Sequence, residues 1–303
     1  MKKALLPLAA MTMLLASCDT STKDSYQTIS YPEYNLIVDN QDPTAPAQAS
    51  YGGYSIKFNI SKNCIDLTAN DIIVNNQKYS FETDTMHLQT QSFKSELAGN
   101  TFNYLFSKRG IAGTGSPASN ISGKLVWNLM PNSSNLLSPN YSITFGQRLD
   151  LSYTLNDRYS VQTFWPAALY KGMTTSSASG ISHTYENSDY LTQIDFEKKT
   201  ASVYVYNAVL SANQAPNFPK VIRFENIPVV FTHEGFSLES AAPKTTVLGK
   251  KDNVVTMVDS VGFAATDFYL NLTSSDLNDV MISYKLDGKS VSFRGCSILK
   301  AGM

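Results

Sequence analysis

The chain has 303 residues, 43% of them hydrophobic and 16% charged, with a formal net charge of −1. That composition supplies a core for one or two domains and excludes the basic footprint of a nucleic-acid-binding protein. Tyr (17) and Phe (15) are abundant, and together with Val, Ile and Thr they bias the chain towards pleated, half-buried surfaces.

Residues 1–17 read as a signal peptide. Lys2-Lys3 precedes an apolar stretch, Ala4 to Leu14, that is too short to span a bilayer. Leu15-Ala16-Ser17-Cys18 follows. This run resembles the lipobox of bacterial lipoproteins. The resemblance implies diacylation of the Cys18 thiol, cleavage before it and acylation of the new amino terminus. An ordinary cleaved signal peptide with an incidental cysteine is the alternative. More than one acyl chain suits stable anchoring, and no later stretch approaches the ~20 apolar residues of a transmembrane helix. Without residues 1–17 the chain keeps 22 basic against 25 acidic residues, a net of −3. The tyrosine- and asparagine-rich style is similar to that of uncharacterised Bacteroidetes envelope lipoproteins with tandem β domains. That resemblance implies an outer-membrane lipoprotein, on the periplasmic face or the cell surface. Asp19 and Lys23-Asp24 match the acidic surface-export signal of that group only in part.

Residues 18–50 are polar, with Pro32, Pro43 and Pro46 and no sustained period. Asp19 to Tyr31 reads as a tether, Tyr34 to Val38 as a first short strand, and Asn40 to Ser50 as loop. Residues 51–166 form a first β unit. Ile56, Phe58 and Ile60 alternate with polar neighbours, as do Ile65 and Leu67, and turn residues such as Asn75-Asn76 bound the runs. Gly110 to Pro117 reads as a loop, and Leu125, Trp127 and Leu129 as a strand that points Trp127 to the core. Leu149 to Phe164 (LDLSYTLNDRYSVQTF) ends the unit as a hairpin with Asn156-Asp157-Arg158 at its turn.

Residues 167–187 are rich in Ser, Thr and Gly without a long period, and read as a linker. A second unit, 188–303, can be laid on the first. Ile194 and Phe196 fall on Ile56 and Phe58, and Val203 and Val205 on Ile65 and Leu67. Phe231, Phe236 and Leu238 fall on Phe81, Met86 and Leu88, and Phe268, Leu270 and Leu272 on Tyr141, Ile143 and Phe145. The unit ends in a matching hairpin, Val280 to Phe293 (VMISYKLDGKSVSF), turned by Asp287-Gly288. Matches in one order, with insertions confined to loops, argue for duplication. The expected fold class is therefore all-β: two tandem homologous antiparallel β units, sandwich or barrel-like, with few or no helices. Two separate domains and two half-barrels around a shared core both fit, and the linker favours the first.

Catalytic signatures are missing. His87, His183 and His233 stand in no metal-ligand spacing. Gly113-Thr114-Gly115-Ser116 lacks the Gly-Lys-Ser/Thr ending of a phosphate loop, and no Gly-x-Ser-x-Gly elbow occurs. No cofactor is implied. Cys64 and Cys296 remain: an exported protein permits a disulfide between them, but each sits in an alternating strand pattern, where a cysteine serves as a small buried hydrophobe. Trp127, Trp165, Tyr204, Tyr206 and Tyr284 offer rings for a sugar-binding platform. Trp165, Tyr204 and Tyr206 are the candidate ligand residues, since alternation against Val203 and Val205 places both tyrosines on an outer face. Rows of outward tyrosines are also ordinary cross-strand pairs. Asp84-Thr85-Met86 and Asp259-Ser260-Val261 resemble the Bacteroidetes O-glycosylation sequon, which makes Thr85 and Ser260 candidate acceptors. The expected function is non-catalytic binding or scaffolding at the envelope, with the membrane as one partner and a glycan, lipid or envelope protein as the other. A calycin-like small-ligand carrier, a structural subunit of a surface assembly and a hydrolase are the alternatives.

Overall fold

A computed structural model of the protein describes residues 26–59, 62, 64–87, 90–95, 102–117, 119–132, 144–164, 166–210, 220–251, 254–259, 265–273 and 276–297. Every regular element among them is a strand. The first ten are β1 (Tyr26–Asp39), β2 (Gln48–Asn59), β3 (Cys64–Val74), β4 (Gln77–Thr83), β5 (Met86–His87), β6 (Thr90–Ser95), β7 (Phe102–Ser116), β8 (Ser119–Asn132), β9 (Thr144–Leu155) and β10 (Tyr159–Phe164). The second ten are β11 (Ala167–Ala178), β12 (Ile181–Asp195), β13 (Thr200–Asn207), β14 (Val221–Phe231), β15 (Gly235–Ser240), β16 (Lys244–Lys251), β17 (Val254–Asp259), β18 (Ala265–Thr273), β19 (Asp276–Leu286) and β20 (Lys289–Ser297).

Eight strands of the first set close into a ring, β1-β2-β3-β4-β7-β8-β9-β10, with β10 pairing back onto β1. Eight of the second set do the same, β11-β12-β13-β14-β15-β18-β19-β20, with β20 returning to β11. All these pairings are antiparallel. The protein is two similar barrel-like sheets in tandem, each closed on itself, and the half-barrel arrangement does not occur.

Tight turns make this topology local. Asn75-Asn76, Ser179-Gly180 and Asp287-Gly288 each fill a two-residue turn, with φ of 48° and 64°, 51° and 79°, and 50° and 73°. Positive φ at both centres matches strand twist, and Asn, Asp and Gly tolerate it best. Asn156 and Asp157 also take φ of 55° and 53° at the turn between β9 and β10.

Three expectations need correction. Residues 167–187 are no linker but β11 and the first part of β12, because Thr174 and Ser176 turn inward as the alternation continues in small polar residues. Tyr26 to Tyr31 belongs to β1 rather than to a tether, paired residue by residue with β2 from Tyr26↔Asn59 to Tyr31↔Tyr54. Gly110 to Ser116 continues β7, Gly113 and Gly115 letting the backbone of β4 approach closely. The strand correspondence also slips mid-unit. The strand in β18's position in the first ring is β8, whereas Tyr141 and Ile143 lie outside the described residues. Met86 sits in β5, a short strand added onto β3 outside the ring, while Phe236 lies in β15, within the ring.

An eight-stranded barrel has an interior just wide enough for side chains to fill. In the first, Ile56, Leu67, Phe81, Leu151 and Val161 fill it. In the second, Val203, Phe224, Leu270, Ile282 and Phe293 do. Each interior also holds a tyrosine pair with a third polar partner from its first strand. The Tyr54 hydroxyl donates to Asn35 Oδ1 at 2.5 Å and lies 3.2 Å from the Tyr153 hydroxyl. Thr174 Oγ1 donates to the Tyr190 hydroxyl at 3.3 Å, which lies 2.8 Å from that of Tyr284. Both groups draw on the first, second and seventh strands of their ring. Burial pushes the Tyr190 phenol up to about 12 and raises those of Tyr153 and Tyr284 too.

The barrels are packed together. Tyr34, Leu36, Val38, Ala47 and Phe164, on the outer wall of the first, join the core of the second. The Phe164 ring meets Phe196 at 5.1 Å and Phe236 at 5.2 Å, both edge-on. A backbone bond rivets the contact: Ala47 N donates to Thr232 O at 2.6 Å. One end of the second barrel is thus stoppered by the side of the first.

Candidate functional site: a groove on the wall of the second barrel

The expected site residues do not come together. Cys18, Trp165 and Ser260 lie outside the described residues, as does the Trp127 side chain. Tyr204 and Tyr206 stack at 6.3 Å between ring centroids, but only Tyr204 is partly open; Tyr206 is 1% exposed. A register shift lies opposite Tyr206, where Asp189 pairs with Asn207 and Tyr190 with Val205. Such a bulge re-aims a side chain, and burial drives the Tyr206 phenol well above its ordinary value. Tyr284 faces the interior. Cys64 and Cys296 are both free, in different barrels, so the disulfide does not form. Thr85 is exposed between β4 and β5, and its hydroxyl donates to Asp66 Oδ1 at 2.7 Å.

Among the histidines, His87 is exposed and His183 half-buried. His233 Nδ1 lies 3.2 Å from Ala45 O across the junction of the barrels. Among the described residues no three His, Cys, Asp or Glu side chains gather as a metal site would need.

A concavity lies where alternation gave no warning, on the outer wall of the second barrel across β11, β18, β19 and β20. It is an open groove of about 850 Å³. Register builds it. Asn271 pairs with Met281, Met281 with Arg294, and Arg294 with Met173, which sets four outward side chains in a row at the ~4.8 Å spacing of neighbouring strands. Tyr269, two residues before Asn271, stands diagonally beside the row. Two of its members, Met281 at 61% and Met173 at 41%, and the adjoining Tyr269 at 46% are exposed apolar groups.

The wall is pinched beneath this row. Gly172 pairs directly with Gly295, and a Cβ on Gly172 would run into the Arg294 carbonyl and the Gly295 Cα. Only glycine permits that approach. From inside, the Phe293 ring covers Gly295 and stacks on Tyr190 at 4.0 Å. A bulge beside it, where Gly172 pairs with Ser188 but Thr174 with Tyr185, strengthens the local twist.

The charges around the row are unevenly satisfied. Lys171 pairs with Asp189 at 3.2 Å and Lys285 with Asp267 at 2.8 Å. The Arg294 side chain has no hydrogen-bond or ion-pair partner among the described residues, and neither has that of Glu186, a carboxylate that lines the same groove together with Asp279. Interface hot spots favour aromatic residues and Arg, and Met is enriched at interfaces; Met also adapts its shape to varied partners. Sequence reasoning missed this site because β11 lies far from β18, β19 and β20 in the chain and segment 167–187 read as a linker. The one local signal was Gly295 beside Cys296 in a strand pattern. No protein-family model matches the chain, and no curated protein matches it.

Proposed function

We propose that the protein is a lipid-anchored envelope protein with a non-catalytic binding role, and that the outer wall of its second barrel carries the recognition surface. The observation that supports this most is the groove itself: exposed Met173, Tyr269 and Met281 gathered around Arg294, with the carboxylates Glu186 and Asp279 also in its lining. Interiors filled by Phe, Tyr, Leu and Val favour recognition on a wall over carriage inside a barrel. The lipobox at Cys18 supplies the anchor, and the first barrel, joined to the second through a buried apolar contact, acts as the rigid mount.

A photo-crosslinking amino acid placed at Ser283 on the groove floor, in the native host, tests the reading. An adduct of defined mass from Ser283, absent when the same group is placed at exposed Val230 on β14, is the expected result. Equal labelling from both positions, or none from Ser283, would overturn it. Metabolic labelling with an alkyne fatty acid checks the anchor: incorporation is expected in the wild type and lost in Cys18→Ala.

A further inference from the structure

We infer that Met173 and Met281 form a site of reversible oxidative modification, where a peroxide converts each thioether to a sulfoxide while the barrel stays folded. The inference does not depend on what the groove binds. Accessibility singles these two out. Of the methionines whose side chains are described, Met86 is 2% exposed in the core cluster of the first barrel, whereas Met173 and Met281 are 41% and 61% exposed. Register then gathers them. Both pair directly with Arg294, from opposite sides, so they stand in one outward row about 10 Å apart. Strand formation favours β-branched and aromatic residues, so the sheet itself does not call for two thioethers there.

The step is a transfer of one oxygen. A sulfur lone pair attacks one oxygen of hydrogen peroxide, and the S–O bond forms as the O–O bond breaks. The proton of the transferred oxygen leaves with the departing hydroxide as water. Sulfur is oxidised and the peroxide reduced by the same electron pair. A dithiol, acting through the two epimer-specific sulfoxide reductases, returns the thioether and leaves a disulfide and water. Side-chain direction decides what this does to the fold. Val280 and Ile282 on either side of Met281 are buried, as is Thr174 beside Met173. These inward neighbours hold the wall while the outward sulfurs react. A sulfoxide puts a polar, chiral group where an apolar one stood, in a groove already lined by Arg294, Lys171, Glu186 and Asp279. The same oxygen on Met86 would enter an apolar core and destabilise it.

The test is mass spectrometry, site by site, on the full protein purified from its host and exposed to dilute hydrogen peroxide. Met281 should gain an oxygen first and Met173 next. Met86 should lag by about tenfold or more, since it reacts only in locally opened molecules, and in urea-unfolded chains all three should react alike. Once Met173 and Met281 carry oxygen, the urea midpoint should be unchanged, and methionine sulfoxide reductases should restore both in the folded protein. Oxidation of Met173 and Met281 no faster than that of Met86 would overturn the inference. So would a lowered midpoint after their oxidation, or sulfoxides that the reductases leave untouched.

Discussion

The core of the first barrel closes on itself, whereas that of the second runs out through one end into its neighbour's wall. Ile37, Tyr54, Phe81, Leu151 and Tyr159 belong to a cluster confined to the first barrel. The cluster around Phe224 and Phe293 in the second includes Leu36, Val38 and Phe164 of the first. Similar strand order and a shared tyrosine motif therefore do not bring equal independence. The difference comes from a few outward positions on β1 and β10 that are apolar where a solvent-facing wall would be polar. It also separates roles: the self-contained barrel supports, and the dependent one carries the groove.

Separating the barrels tests this asymmetry with the largest expected effect. A fragment of residues 24–164 should unfold cooperatively in urea, while one of residues 166–303 should show no cooperative transition. Removing Tyr34, Leu36, Val38 and Phe164 takes away on the order of 6–12 kcal/mol of burial, comparable to the about 5–15 kcal/mol that holds a domain together. A cooperative transition in the second fragment would end the argument. Next comes Phe164→Ala, expected to cost about 3–5 kcal/mol. Hydrogen exchange should show faster exchange in β12, β14 and β15 but little change in β3 and β4. Phe58→Ala, inside the first core, should instead loosen both barrels.

The buried tyrosines probe what the barrels share. Tyr54→Phe and Tyr190→Phe each remove the central hydroxyl of a trio and should cost about 1–3 kcal/mol by urea unfolding. Costs that differ by more than about 2 kcal/mol would mean that the two trios are not equivalent. Their titration gives a smaller, pH-resolved version of the test. Because the folded-state value for Tyr190 is raised to about 12 above the ~10 of a solvated phenol, the neutral form is the one the fold favours. That contribution is complete below about pH 10 and disappears as pH climbs through the folded value. Tyrosinate absorbance should therefore show a late, unfolding-linked phase that shrinks in Tyr190→Phe.

The smallest effect belongs to the seam of the first barrel. Arg158 Nε and Nη2 clasp the Asp39 carboxylate at 2.9 and 2.6 Å, and this clasp holds the Asp39 pKa below the usual range. Its stabilisation should be lost as pH falls below about 4, and Asp39→Asn should flatten the acid limb of the stability curve for the first barrel alone.

The sequence carried the fold class well because its signals are local. Asn156-Asp157 and Asp287-Gly288 announce turns through residues that accept positive φ, and Ile282, Tyr284 and Leu286 announce a strand through period two. Where strands alternate in small polar residues, as Thr174 and Ser176 do, hydropathy is silent and the segment passes for a linker. Ser179-Gly180 was the available clue. The groove was illegible for another reason. Met173, Tyr269, Met281 and Arg294 become neighbours only through register, and a shift of one residue on any strand would send its member inside. Tyr206 shows the same limit from the other side: alternation marks it as outward, yet it is buried beside a register shift.

The closure of each ring by its first and last strands sets an order in time. A chain emerging amino end first presents β1 long before β10, so the first barrel waits for nearly all its residues, paying the slow search of a sheet rich in distant contacts. Once β10 is out, that barrel can be completed while β11 to β20 are still to come. Its finished flank, with Leu36, Val38 and Phe164 already in place, then offers the second barrel a surface on which to assemble. Synthesis in the natural direction delivers the template before the part that depends on it. A circular permutant placing the second barrel first should reverse that order and refold with more aggregation.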